Sequence, residues 1–286
     1  MSKKKVNVLV DWGKAFVDKD GNFYCGTTEE QKDNAVLILK EADLIVYASD
    51  VHSRNSMEFI ANGGIYPAHN IVGLYTPQDA DRLSVGDGKT VSPQLTDKLY
   101  DLVKDKNSGL IVPRHVFFQD YNGEPDFIPA FTFQDVVAAF DVPKLNPQEF
   151  LDGGIEYVVN AKHMFNGASL QSTEWMDHIP GKPKVAGVPS MEMNVFTLLK
   201  QQYGQGEGLQ FDVTGVVIGI CIYQTASNLR QLFPKADINV IADGCTHLVY
   251  APLGIATPEQ GDQVASAMCK QVGVNYVKTV DYLGMK

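Results

Sequence analysis

The stretch Val6-Asn7-Val8-Leu9-Val10-Asp11, near the start of the chain, is an almost unbroken apolar run that ends on a carboxylate. A strand with one wet face alternates apolar and polar residues, whereas a strand buried on both faces does not, so this run reads as a strand of a parallel sheet. The same rhythm continues downstream. Glu29 to Glu41 places Ala35, Leu37, Ile38 and Leu39 among charges and reads as a helix, and Asp43 to Ala48 is a second strand. Ile155 to Val159 and Val213 to Ile220 follow as strands, Thr225 to Phe233 as a helix, and Ala236 to Ala242 as a strand. Pro258 to Val272 is a helix and Val274 to Val277 a last strand. Such alternation predicts an α/β fold with three layers, α-β-α, around a mostly parallel sheet.

Two stretches interrupt the alternation, at about residues 76–150 and 167–210. The first contains a helix pattern from Pro93 to Lys106, a short strand at Leu110 to Val112, and aromatics at Phe117, Phe118, Tyr121 and Phe127. The second is rich in Gly and Pro and carries a helix pattern from Pro189 to Tyr203. A structureless loop of either length is uncommon in a compact α/β domain, so both read as insertions with structure of their own. One domain spanning residues 1–286 accommodates them.

With a formal charge of -10 the chain is a poor partner for nucleic acid, whose phosphates require a basic face. Lys3-Lys4-Lys5 is the only basic run and reads as a solubilising flank. No segment reaches the roughly 20 apolar residues of a membrane span. Cys25, Cys221, Cys245 and Cys269 are widely separated, which argues against a disulfide framework and for reduced thiols in a cytoplasmic protein.

Several polar residues fall where such folds gather ligands, past the carboxyl ends of strands. Asp11 ends the first strand. Asp50-Val51-His52 follows the second, and alternate residues of extended chain project to one side. With His69 from Tyr66-Pro67-Ala68-His69, Asp50 and His52 would make an Asp-His-His set suited to zinc, manganese or iron, and Glu58 is a candidate fourth ligand. The competing reading is a polar loop with His52 capping a turn. Cys221 lies between a strand and a helix, where the helix dipole would lower its pKa, although most free cysteines are buried and inert. Lys162 follows the third strand. His163 beside it, and His115, His178 and His247, carry no motif. Gly86-Asp87-Gly88-Lys89-Thr90 fails as a phosphate loop, because Leu83 stands where glycine is needed.

In order and spacing these pieces resemble the nicotinamidases and their isochorismatase-like relatives. Val8-Leu9-Val10-Asp11-Trp12-Gly13-Lys14-Ala15-Phe16 is similar to the family's opening strand, and Gly21-Asn22-Phe23 to the turn after it. Ser49-Asp50-Val51-His52 through Phe59 resembles the metal segment, and Tyr66 through Gly73 the segment bearing a further metal histidine. Lys162-His163-Met164-Phe165-Asn166 resembles the segment of the catalytic lysine, and Gly215 to Ala226 that of the nucleophile. Departures include Gly13, Ala15, Ser53, Tyr66 and the run Val217-Ile218-Gly219 before the cysteine.

The resemblance implies an isochorismatase-like (Rossmann-like) domain with a six-stranded, mostly parallel sheet. It also implies an amidase of NAD salvage that hydrolyses a small amide such as nicotinamide through a thioester on Cys221. Asp11 would be the base and Lys162 its partner, with the N–H groups of Val217 and Cys221 as the oxyanion hole beside a cis Val216-Val217 peptide. Phe16, Tyr66 and Val216 would line the substrate, and a divalent metal, zinc before manganese or iron, would sit on Asp50, His52, His69 and Glu58. Other readings stay open: a carbamoyl compound, another amide or an enol ether as substrate, a non-catalytic binding protein, and a homo-oligomer.

Overall fold

The computed structural model describes residues 2–19, 21, 23–50, 52, 58–70, 116–119, 146–162, 165, 167–168 and 195–284. Strands β1 (Lys4–Val10), β2 (Leu44–Asp50), β3 (Val116–Gln119), β4 (Tyr157–Lys162), β5 (Leu209–Gly215), β6 (Asp237–Cys245) and β7 (Asn275–Val277) form one sheet. Its order is β3-β4-β2-β1-β5-β6-β7, and every described pairing is parallel. The helices are α1 (Lys14–Val17), α2 (Glu29–Leu39), α3 (Pro147–Leu151), α4 (Val195–Tyr203), α5 (Cys221–Leu232), α6 (Pro258–Gln271) and α7 (Thr279–Gly284).

Alternate residues of β1 serve opposite faces of the sheet. Val6, Val8 and Val10 join a core with Phe196 and Leu199 of α4, Ile222 and Leu229 of α5, and Ala265 and Cys269 of α6. On the other face Ile38 of α2 and Tyr282 of α7 pack with Ile241 of β6. The three layers are therefore α-β-α, as the alternation of elements predicts. Helix starts follow local chemistry. Thr28 and Gln31 form a reciprocal capping box at α2, as do Thr257 and Gln260 at α6, each satisfying backbone N–H groups that the helix itself cannot.

The structure revises several boundaries. The six parallel strands that the resemblance implies are present, and β3, from the first of the two insertions, adds a seventh at the edge. The fourth strand of the sequence reading, Val213 to Ile220, is instead β5 ending at Gly215, and α5 begins at Cys221. Val216 and Ile218 are apolar because they are buried beneath a turn, not because they are extended. Lys4 and Lys5 belong to β1 rather than to a loose flank. Lys3 pairs with Asp237, Lys5 lies 3.7 Å from Glu41, and the Lys4 ammonium sits 6.0 Å from the Phe150 ring centre.

Within the stretches set apart as insertions, β3 extends the sheet, and Phe150, Val195 and Phe196 belong to the core. The expected helix at 93–106, the strand at 110–112, the start of the helix at 189–194, Tyr121, Phe127 and the segment 86–90 lie outside the described residues. No described helix is long and apolar enough to cross a membrane.

Gly215 shows how tightly the turn is seated. Its φ is +127°, and a Cβ there would lie 2.0 Å from the Val10 carbonyl oxygen. Gly215→Ala therefore combines backbone strain with a backbone clash, and should cost about 3 kcal/mol or more. Urea denaturation of the purified variant measures it; a midpoint equal to wild type would contradict the packing described here.

Candidate active site

Parallel strands deliver their carboxyl ends to one edge of a sheet. Here the chain winds outward from β1 in one direction through β2 and in the other through β5, which opens a crevice at that edge. Asp11 follows β1, Asp50 ends β2, and Lys162 ends β4 in register with Asp50. Cys221 begins α5 after the turn from β5. Four distant parts of the sequence thus meet by topology alone.

Asp11 is held from several sides. Its backbone has φ 53°, in the left-handed region, and its N–H donates to the Ala48 carbonyl at 2.9 Å. Its Oδ1 accepts the Asp50 N–H at 3.1 Å and lies 2.8 Å from the Lys162 Nζ. Lys162 Nζ also reaches Asp50 Oδ1 at 3.4 Å. Burial pushes the Asp11 carboxyl up to about 6, against the pull of the Lys162 ammonium. Burial works to neutralise Lys162, but Asp11 and Asp50 outweigh it, so its pKa is raised and it stays charged. For Asp50 the balance reverses: His52 and Lys162 overcome burial and hold the carboxyl well below its usual range.

The Cys221 thiol and the Asp11 carboxylate line the same cavity, close enough for each to shift the other's pKa. Cys221 keeps a partly open face, yet the atoms around it and the Asp11 charge push the thiol well above its ordinary pKa. This runs against the expectation that the helix dipole lowers its pKa: desolvation first, and then the Asp11 charge, favour the protonated thiol. The N–H groups of Val217 and Cys221 reach no backbone acceptor among the described residues. No side chain caps the start of α5, and the Val216-Val217 peptide is cis, as the resemblance implies.

A cavity of about 70 Å³ opens above these groups. That is room for only a handful of waters, enough for one small ring and a substituent. Phe16, Tyr66 and Val216 line it as expected, together with Phe23, Cys25, Phe165 and Ile220. Phe23 lies 5.6 Å from Phe16 and 5.3 Å from Tyr66 between ring centres, and Tyr66 stands edge-on to Phe165 at 6.3 Å. The sequence reading did not single out Phe23, Phe165, Cys25 or Ile220 as lining residues. Phe23 and Phe165 fell within quoted segments, but nothing local says which way a loop aromatic points. His163, His115 and His178 lie outside the described residues, and His247 pairs at 3.1 Å with Asp262 on a different segment.

At one wall the ligand atoms of Asp50, His52, Glu58 and His69 all lie within 4.8 Å of one another. The His69 Nδ1 is 2.7 Å from the Pro67 carbonyl oxygen, a contact that requires the proton on Nδ1. In a neutral ring Nε2 then carries a lone pair, yet it faces Asp50 Oδ2 at 3.1 Å and Glu58 Oε1 at 3.3 Å. His52 Nε2 faces the same oxygens at 2.6 and 3.0 Å. Two imidazole nitrogens and two carboxylate oxygens turned towards one another form a ligand set that could hold a divalent metal. Phe59, fully buried, stacks edge-on against both imidazoles at 5.4 Å and fixes their planes.

No protein-family model matches the chain, and no curated protein matches it in sequence. Solved structures do match. The PnC1 protein of L. infantum, crystallised in complex with nicotinate, superposes with a TM-score of 0.50 at 16% identity, over 98% of this chain and 95% of that one. The nicotinamidase PncA of Bacillus subtilis gives 0.50 at 14%, over 96% and 99%. The pyrazinamidase/nicotinamidase of Streptococcus mutans UA159 gives 0.50 at 13%, over 96% and 99%. This chain has the nicotinamidase fold. At such identities the likeness concerns the path of the backbone, and the chemistry rests on the side chains described above.

Elemental analysis of the purified protein should find about one equivalent of a divalent metal, lost in Asp50→Ala and His69→Ala. Wild-type protein that takes up no metal after dialysis against zinc, manganese or iron would remove this assignment.

Proposed function

We propose that the protein is a metal-containing cysteine amidohydrolase that converts a small, uncharged aromatic amide such as nicotinamide into the acid and ammonia. The observation that carries this reading is the convergence of Cys221, Asp11 and Lys162 in one small aromatic cavity, with the Asp11 carboxylate 2.8 Å from the buried Lys162 ammonium.

Asp11 accepts the Cys221 proton as the sulfur attacks the amide carbonyl carbon. The N–H groups of Val217 and Cys221 hold the oxygen that becomes negative, an interaction commonly worth about 3–4 kcal/mol per donor. As the tetrahedral carbon collapses, Asp11 returns the proton to nitrogen and ammonia leaves a thioester. Asp11 then takes a proton from water as its oxygen attacks the thioester carbon; when the C–S bond breaks, Asp11 returns that proton to the Cys221 sulfur, which frees the acid and restores the thiol and the carboxylate. Lys162 keeps its charge throughout and favours the carboxylate form of Asp11 at each turnover. Phe16, Phe23, Tyr66 and Phe165 orient a flat ring and exclude water. Asp50, His52, Glu58 and His69 would hold the metal, zinc before manganese or iron. When bound, it supplies a Lewis-acidic point for a ring nitrogen or bound water at the substrate's far end. The complex of L. infantum PnC1 with nicotinate supports the choice of substrate, since nicotinate is the acid that nicotinamide hydrolysis yields.

Ammonia release across a panel of aromatic amides, acyclic amides and carbamoyl compounds tests the reading, with turnover expected for the aromatic amides. Cys221→Ala and Asp11→Asn should each lower kcat by roughly 10³-fold or more while circular dichroism stays unchanged. Full activity in Cys221→Ala would end the proposal. Turnover confined to a carbamoyl compound would retain the cysteine chemistry and replace the substrate.

A further inference from the structure

The turn from Gly215 to Ile218 carries one of the two N–H groups assigned to the oxyanion, and both of its ends are held by a single residue of another segment. The Thr246 N–H donates to the Gly215 carbonyl at 2.8 Å, and the Thr246 carbonyl accepts the Ile218 N–H at 2.9 Å. Val217 lies between those two anchors. Thr246 is 1% exposed, and its hydroxyl sits 2.7 Å from that of Thr27, itself 3% exposed. Among the described residues, each hydroxyl has the other as its hydrogen-bond partner. Thr27 belongs to the segment that forms the opposite wall of the cavity. Two residues before it stands Cys25, whose Sγ donates to the Phe23 carbonyl at 3.1 Å, and the Tyr24 hydroxyl donates to the Thr27 carbonyl at 3.0 Å.

We infer that the buried Thr27–Thr246 hydroxyl pair is a positioning device that sets the Val217 N–H relative to the aromatic wall bearing Phe23. The inference rests on the amidase reading above. A methyl in place of either hydroxyl preserves volume but removes the bond, leaving the other hydroxyl buried and unpaired. Thr246 can then shift against Thr27 and carries the turn with it. Small displacements matter here because a misplacement of about 1 Å at a reacting centre can cost on the order of 100-fold in rate. Thr27 and Thr246 touch no substrate; they act through the backbone.

The test uses full-length Thr246→Val and Thr27→Val, with Thr246→Ser and Thr27→Ser as rescues that keep the hydroxyl. Two probes separate the oxyanion from the ring. Pyridine-3-carbaldehyde adds the Cys221 S–H across its carbonyl, sulfur to carbon and proton to oxygen, and so places that oxygen in the hole. Pyridine-3-carboxylate occupies the ring site without forming the adduct. The valine variants should lose roughly 10- to 100-fold in kcat on nicotinamide and in aldehyde affinity, with carboxylate affinity and KM within about twofold. The serine variants should recover most of that loss. Parallel loss of both affinities, no loss in either, or serine variants no better than valine would overturn the inference. Thr27→Val reaches the pair from the side remote from the turn, so a failure of Thr246→Val to fold leaves the question decidable. Wild-type protein that forms no aldehyde adduct and releases no ammonia overturns the amidase reading, and this inference with it.

Discussion

A buried ammonium between two carboxylates organises this molecule. Lys162 lies 2.8 Å from Asp11 and 3.4 Å from Asp50, and all three side chains are withdrawn from solvent. Taking an ammonium out of water costs several kcal/mol, and it is recovered only where opposite charges are fixed close by. That requirement explains the neighbourhood of β1, β2 and β4: Asp11 directly follows β1, β2 and β4 end on Asp50 and Lys162, and the register of β2 with β4 sets Asp50 opposite Lys162. Asp11, Asp50 and Glu58 carry more negative charge than one lysine balances. The surplus falls on the side where His52 and His69 turn their Nε2 atoms inward, so the base and the cation site are two parts of one charge arrangement.

Much of the architecture was legible because buried parallel strands are written in plain apolar runs. Val6 to Val10 and Leu44 to Ala48 announce themselves, and the polar residue that breaks each run marks the sheet's working edge. Asp11 and Asp50 could therefore be placed by chain position, and the family resemblance joined Lys162 and Cys221 to them. The capping boxes at Thr28 and Thr257 depend on residues three apart, and the sequence reading did not single them out.

What stayed hidden depends on direction rather than on type. The run Val216-Val217-Ile218 has strand composition, yet the chain bends at Gly215, so that Ile218 enters the core while Val216 and Val217 line the cavity. Phe23 and Phe165 line the cavity, but a loop aromatic gives no sign of its heading until its neighbours are known. The pKa of Cys221 depends on more than its position at a helix start, because burial and the Asp11 charge push it up.

The left-handed backbone at Asp11 reaches beyond its own geometry. Aspartate and asparagine tolerate that region far better than longer or branched residues, because their short polar arms bond locally. A glutamate there would carry its acid group one methylene further while resisting the same bend of the main chain. The carboxylate beside Lys162 is thus pinned in both reach and residue type: a residue at this position must keep a short arm to accept the backbone bend and an acid group to face the ammonium.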